Sequence, residues 1–276
     1  MTIEQIEGFG LTINEELLQR LGIESVDELI DCSTPGLVRK LEEIDELKSY
    51  FDQITRYYNA HVTDFENALT MAKAIIKVAT NDDGRKSSEK VYVDYIEERV
   101  KTLDSLKAKC WKKGLMPKEV PTSIYDIAGL RIIVDYKDKI DRISEILHHT
   151  DGLSWPFIED EDGNKKEKRT KNYIDNPKEN GYRGLHLTPE VLVPDKHIHV
   201  PVEIQIRTNG QHLWAKMEHK LNFKPIFSGS ISEDEQKWFK EAAEKMLEFD
   251  ERITSIRIAR EPDKVIPPPN QNNNPQ

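Results

Sequence analysis

Seven residues, Val202-Glu-Ile-Gln-Ile-Arg-Thr208, alternate apolar and polar without a break. A period of two is the signature of an extended strand, with Ile204 and Ile206 on one face and Glu203, Gln205 and Arg207 on the other. Such a strand belongs to a sheet that buries one face in a core and keeps polar groups on the opposite face. A carboxylate on an inner sheet face is costly unless a partner offsets it, so the polar face of this strand is a place to look for chemistry.

The rest of the chain supplies the helices such a sheet needs. From Leu37 to about Thr80 the apolar positions Leu41, Ile44, Leu47, Phe51, Ile54, Tyr58, Val62 and Phe65 recur three or four apart, the helix period, and Asn81-Asp-Asp-Gly84 is expected to end it. Before it, Glu15–Ile30 predicts two short helices broken at Gly22, and a second long helix is predicted from about Glu89 to Lys113, stopped by Gly114 and Pro117. Strands are predicted at Leu130–Asp135, Leu185–Val193 and His197–Ile206, and helices at Ile140–His149, Gln211–Leu221 and Glu233–Ile256. The expected fold class is α+β, a mixed β-sheet of about five strands flanked by helices. The expected division is an N-terminal helical extension over 1–40, a main domain over 41–258 and a low-complexity tail over 259–276 that ends in Pro-Pro-Pro-Asn-Gln-Asn-Asn-Asn-Pro-Gln.

A composition of 37% hydrophobic and 33% charged residues over 276 positions is that of a globular chain with a substantial core. No window approaches the roughly 18 uninterrupted apolar residues of a spanning helix. The start, Met1-Thr-Ile-Glu-Gln-Ile-Glu-Gly8, lacks the positive and apolar segments of a secretory signal, so the expected location is the cytoplasm. Cys32 and Cys110 are too few for a disulfide framework and are expected to be reduced thiols. A net charge of −10 argues against wholesale binding of a phosphate backbone, although a local basic patch can still act.

Four groups of residues carry candidate chemistry. Asp126, at the mouth of a predicted strand, and Glu203 fit a magnesium ion, which takes one or two carboxylates and completes its shell with phosphate oxygens and water. The same two residues also fit a turn cap and an ion pair with Arg207. Lys101, Ser105, Lys109 and Lys112 stand four, four and three apart, so one helical face presents three ammonium groups and a hydroxyl, either to a triphosphate or to solvent. In Asn176-Pro-Lys-Glu-Asn-Gly-Tyr-Arg-Gly-Leu-His-Leu187, Asn180-Gly181 signals a turn that holds Tyr182 at the start of a strand. There Tyr182 can stack on a base, Asn180 can read its edge, and Lys178 and Arg183 can neutralise its phosphates; Tyr182 and His186 are equally ordinary core residues taken singly. His197 and His199 share a strand face but have no third metal ligand nearby in the sequence.

From about Val91 to Lys224 the chain resembles the synthetase domain of the RelA/SpoT family. The resemblance rests on Arg99-Val-Lys101 with Ser105 and Lys109, on Asp126-Ile-Ala-Gly-Leu-Arg131, on Lys178-Glu-Asn-Gly-Tyr-Arg183 with His186, on Val202–Thr208, and on Trp214-Ala-Lys-Met-Glu-His219 with Leu221-Asn-Phe-Lys224, all in the family's order. It implies transfer of pyrophosphate from ATP to a ribose 3′-hydroxyl, most simply that of GDP or GTP. By the same resemblance Arg99 and Arg131 sandwich the donor adenine, while Ser105, Lys109 and Lys112 hold its phosphates. Asp126 and Glu203 bind Mg2+, with Glu203 also placed to help remove the hydroxyl proton. Tyr182 stacks on the acceptor base, and Lys178, Asn180, Arg183 and His186 serve the acceptor.

No histidine of the chain is followed by aspartate, so it lacks the signature of the family's hydrolase and is expected to be a synthetase-only member. Such members are commonly oligomers, with the helix at Glu233–Ile256 as one candidate interface, and some work beside an antitoxin partner. The chain departs from the usual pattern at Gly184, where many members have serine, and at Phe223, where many have tyrosine. Before the acceptor motif, Lys165, Lys166, Lys168, Arg169 and Lys171 stand with one anion, a local charge of +4 that suits the alternative the resemblance also implies, a toxin that pyrophosphorylates the 3′-end of transfer RNA or adenosine nucleotides. A third reading, from a different class, is a guanine-nucleotide sensor without catalysis.

Overall fold

The first quarter of the chain is helical. In order come α1 (Ile3–Glu7), α2 (Glu15–Leu21), α3 (Val26–Ile30), α4 (Pro35–Glu42) and α5 (Asp45–Lys86). Then follow β1 (Val93–Val100), α6 (Leu103–Lys112), a 3-10 turn at Pro117–Glu119, α7 (Val120–Ser123), β2 (Ala128–Val134) and α8 (Asp138–His148). The short strands β3 (Leu153–Ser154), β4 (Phe157–Glu159), β5 (Lys165–Glu167), β6 (Lys171–Asn172), β7 (Leu185–Leu187) and β8 (Glu190–Val193) precede β9 (Ile198–Thr208). The chain closes with α9 (Asn209–Phe223) and α10 (Glu233–Arg260). This is a computed structural model, and it describes residues 1–30, 35–86, 93–159, 165–167, 169–223 and 232–260. Cys32, Lys168, Lys224 and the expected tail from residue 261 onward lie outside the described residues.

The architecture is α+β. Its main sheet has seven strands rather than the expected five, in the order β1-β2-β9-β7-β6, with β8 pairing the first part of β9 and β3 pairing β8. Only the β2–β9 pairing is parallel among these, so the sheet is mixed. β9 is its spine: Ile198–Pro201 pairs with β8, and Ile204–Ile206 lies between β2 and β7. The alternation read from the sequence holds, because Val202, Ile204 and Ile206 are fully buried while Glu203 and Gln205 are only partly so.

α5 covers the apolar face. Leu47, Phe51, Ile54, Phe65, Leu69, Ala72 and Ile76 are buried along it and join one core with Leu130, Ile132 and Ile204. The short N-terminal helices pack at one end, where the amino group of Met1 donates to Trp111 O at 2.6 Å and Trp111 Nε1 donates to Leu29 O at 2.7 Å. α2 stops where Gly22 takes a left-handed φ of +63°, a backbone state that glycine adopts without strain. α10 packs against α9, burying Phe239 and Ala243 with Trp214 and Tyr182, and leaves Trp238, Phe249 and Ile256 exposed.

Three expectations are corrected. The helix expected over Glu89–Lys113 is instead strand β1 followed by α6. β1 hides its nature because it is an edge strand, largely exposed and charged, with an irregular register near Val93–Tyr95, so it shows no clean period of two. The helical period from Leu37 spans two helices, α4 and α5, and α5 runs through Asn81–Gly84 to Lys86. The strand expected over Leu185–Val193 is split into β7 and β8 at Thr188-Pro189, since proline has no N–H to continue the ladder.

Candidate active site

β1, β2 and β9 lie side by side, and their register sorts the polar side chains into rows. Lys171, His186, Gln205, Arg131 and Glu97 are successive neighbours across β6, β7, β9, β2 and β1. One step along, Arg99, Gly129 and Glu203 form a second row. Gly129 has no side chain, and the space beside Glu203 stays open. A cavity of about 540 Å³ occupies this face, walled by Glu97, Arg99, Lys101, Asp126, Arg131, Glu203 and Gln205 among others. A larger cleft of about 770 Å³ lies between α5 and α8, and none of the motif residues lines it.

Asp126 sits just before β2, and Lys101 just after β1. The Lys101 N–H donates to Ile127 O at 2.8 Å, which ties the two strand ends together. α6 then starts at its cap Thr102, whose hydroxyl accepts from Ser105 N at 3.3 Å and donates to Ser105 Oγ at 2.8 Å. One turn further on, Lys109 reaches Asp126 Oδ2 at 2.5 Å, while Lys101 meets the same oxygen at 3.3 Å. Burial works against ionisation of Asp126, but Lys101 and Lys109 outweigh it and hold the carboxyl below its usual range. Burial in turn pushes the Lys101 ammonium down. Lys101 therefore belongs to the site although it precedes α6. Lys112, on the same helix, is exposed and does not wall the cavity. Arg131 donates to Glu97 Oε2 at 3.2 Å, and Arg99 is exposed at the rim.

Glu203 is anchored through both oxygens. His186 Nδ1 lies 3.2 Å from Oε1, and Gln205 Nε2 donates to Oε2 at 2.6 Å. Burial opposes its charge, yet these hydrogen bonds and Lys109 prevail and bring its pKa down to about 2. His186 is held below the usual imidazole range, first by burial, so it is neutral at physiological pH. Arg207 is not the ion-pair partner of Glu203. It donates instead to Tyr182 Oη and Gln205 Oε1, each at 2.5 Å.

The turn at 178–182 forms as its sequence demands. Gly181 has φ +90°, its N–H donates to Lys178 O at 2.8 Å, and Asn180 Oδ1 accepts from Tyr182 N at 3.1 Å. Asn180 also donates to Glu218 at 3.0 Å, and Arg183 donates to Ile174 O at 2.8 Å and Glu244 Oε1 at 3.1 Å. Tyr182 is only 8% exposed, its ring approached by Arg207 at 4.8 Å and by Lys178 at 4.9 Å. Arg169, from the basic stretch, pairs with Glu190 at 2.9 Å and lies over Tyr125 at 3.9 Å. Glu97 and Glu98 are wall residues that sequence reading missed; Val93, Ile96 and Val100 were the available signal, β-branched positions inside what read as a helix.

The residues present fit a magnesium ion. Asp126 Oδ1 is buried without a hydrogen-bond partner, and Asp126 and Glu203 are close enough to repel. Among the described residues no three His, Cys, Asp or Glu side chains gather as a closed metal cage, which leaves a donor set of two carboxylates.

The match to known proteins is consistent across sequence and structure. A model of the region found in RelA/SpoT proteins matches residues 98–226. The GTP pyrophosphokinase YwaC of Bacillus subtilis is 32% identical over 169 residues, covering 60% of this chain and 74% of the relative. This chain belongs to the RelA/SpoT family. A second GTP pyrophosphokinase of Bacillus subtilis, YjbM, is 34% identical over 169 residues, again 60% of this chain and 72% of the relative. Among solved structures, small alarmone synthetase 1 from Bacillus subtilis bound to its product pppGpp superposes with a TM-score of 0.61 at 27% identity, over 73% of this chain and 97% of that one. The family resemblance seen in the motifs and the α+β class are both borne out.

Proposed function

We propose that this chain is an ATP-dependent pyrophosphokinase that transfers the β,γ-pyrophosphoryl group of ATP to the 3′-hydroxyl of GDP or GTP. One observation carries the reading: two carboxylates held below their usual range, Asp126 and Glu203, wall a cation-lined cavity, and Glu203 is linked through His186 to the Tyr182 hydroxyl. Its relatives YwaC and YjbM are GTP pyrophosphokinases, and small alarmone synthetase 1 has been solved with pppGpp and with AMPCPP, which supports both substrates.

In this reading Arg99 and Arg131 take the adenine between them, as planar cations do with a purine. Lys101 and Lys109 exchange their pairing with Asp126 for the triphosphate, helped by Ser105 at the start of α6, where helix N–H groups favour anions. Tyr182 carries the acceptor base, and Lys178, Asn180, Arg183 and His186 serve the acceptor. The acceptor oxygen forms a bond to the β-phosphorus as the bond from that phosphorus to the α-phosphate oxygen breaks, and AMP leaves with the electron pair. Asp126 and Glu203 would hold Mg2+, which would supply charge neutralisation for the phosphates. Glu203 is ionised far below neutrality and is therefore a weak base. It orients the hydroxyl through a hydrogen bond and receives its proton late, once the forming O–P bond has made the hydroxyl strongly acidic, and the proton then passes to solvent.

The test is direct. Purified protein with magnesium, labelled ATP and GDP or GTP should yield 3′-diphosphorylated guanosine and AMP. Deacylated transfer RNA is offered in a parallel reaction. Label entering RNA while guanosine nucleotides stay unlabelled would overturn the acceptor assignment.

A further inference from the structure

Five side chains on the polar face close a ring of hydrogen bonds. Arg207 Nη2 donates to Tyr182 Oη at 2.5 Å, Tyr182 Oη meets His186 Nε2 at 2.6 Å, and His186 Nδ1 meets Glu203 Oε1 at 3.2 Å. On the other side Gln205 Nε2 donates to Glu203 Oε2 at 2.6 Å, and Gln205 Oε1 accepts from the same Arg207 Nη2 at 2.5 Å. Both ends fix the direction of every bond. A guanidinium only donates and a carboxylate only accepts, so Tyr182 donates to Nε2 and the imidazole N–H is at Nδ1. With a neutral imidazole the ring closes in this one sense only.

Arg207 is an unusual cation in its setting. It is 6% exposed, its Nε has no hydrogen-bond partner, and no carboxylate is paired with it among the described residues. A buried guanidinium that serves stability alone is expected to take a carboxylate. This one spends its donors on a tyrosine and a glutamine whose chains both end on Glu203. The corner is also shaped for it: a Cβ at Gly184 would lie 3.1 Å from Tyr182 Oη and 3.3 Å from Arg207 Cγ. Gly184 leaves the room that Arg207 and the Tyr182 hydroxyl fill.

We propose that Arg207 is a positioning residue for the transfer reaction, which through the two arms of this ring sets the Tyr182 ring and both oxygens of Glu203 in a single arrangement. The inference rests on the reading above that Tyr182 carries the acceptor base and Glu203 serves the reacting hydroxyl. Arg207 is pinned and buried, whereas Lys178 is exposed. The incoming base therefore displaces Lys178 and leaves the ring intact. The carboxylate is thus already aimed when the base is seated.

Steady-state label transfer on R207K, Y182F, their double variant and G184A tests this. R207K keeps the charge but not the planar pair of donors. It should lower kcat about tenfold or more and raise the acceptor KM several-fold, with the ATP KM within about twofold of wild type. The double variant should be no slower than R207K alone, because either change opens the same ring. G184A removes no hydrogen-bonding group and should move the same parameters in the same direction by less. Losses that multiply in the double variant, or an ATP KM that rises as much as the acceptor KM, would overturn the proposal. Should R207K unfold at the assay temperature, the cycle is run on Y182F and G184A with the same criteria. A wild-type protein that labels no guanosine nucleotide defeats the preceding reading. A wild type that transfers and an R207K variant that matches it defeat only this one.

Discussion

On the proposed donor side Arg99 stands exposed at the rim of an open cavity, and Lys101 and Lys109 are paired with the Asp126 carboxylate. On the proposed acceptor side Tyr182 is 8% exposed, packed with Trp214 and Phe239, and bound through its hydroxyl to Arg207 and His186. The first half is organised by charge in a half-open site, the second by packing and directional hydrogen bonds. Ion pairs exchange partners at little cost in a wet cleft, whereas a buried aromatic must be uncovered before it can stack. In the proposed reading the donor half is therefore ready for its ligand, and the acceptor half has to uncover Tyr182.

The sharpest way to break this contrast is at the carboxylate that joins the two halves. Glu203→Gln should reduce transfer by about a thousandfold or more while ATP binding, measured by calorimetry, is largely kept. Turnover close to wild type would remove Glu203 from the mechanism. Next come the paired probes of each half. Tyr182→Ala should raise the acceptor KM by about tenfold or more and cost ~3 kcal/mol in unfolding free energy, because it empties a packed corner. Arg131→Ala should raise the ATP KM by about tenfold with a much smaller loss of stability, since Arg131 is only partly buried and its partner Glu97 can reach water. Equal stability losses in the two variants would erase the distinction between a packed and a charge-held half.

Acid offers a gentler probe. The Glu203 carboxyl is lowered from 4.5 to about 2, so the stability it contributes is complete above pH 4.5 and is lost as the pH falls toward 2. The difference in unfolding free energy between wild type and E203Q should shrink as the pH falls from about 4.5 toward 2. A difference that grows over that interval would contradict the depressed pKa. The smallest effect is expected at Lys112, exposed and outside the cavity wall. Lys112→Ala should change kcat and both KM values by less than about twofold, and a large rise in the ATP KM would show that the donor half extends further along α6.

The chain's own pattern announced β9, the Asn180–Gly181 turn and the helical period of α5, because each rests on local rules: alternation, a positive φ at glycine, and apolar spacing. It also marked Asp126 and Glu203 as a pair in want of a partner. β1 was illegible for a physical reason. An edge strand is made by the neighbour that pairs with it, and Glu97, Glu98 and Arg99 carry no period of their own. Glu97 was lost with it.

Sequence by itself determined which face of β9 is polar, where the turn falls and which residue types carry charge, since these follow from backbone geometry within a few residues. Tertiary structure alone decided the partners. It gave Glu203 to His186 and Gln205 rather than to Arg207, brought Lys101 and Lys109 onto one oxygen of Asp126, and buried Tyr182 beneath Arg207. Those choices depend on strand register and helix docking across up to dozens of residues, which no local period encodes.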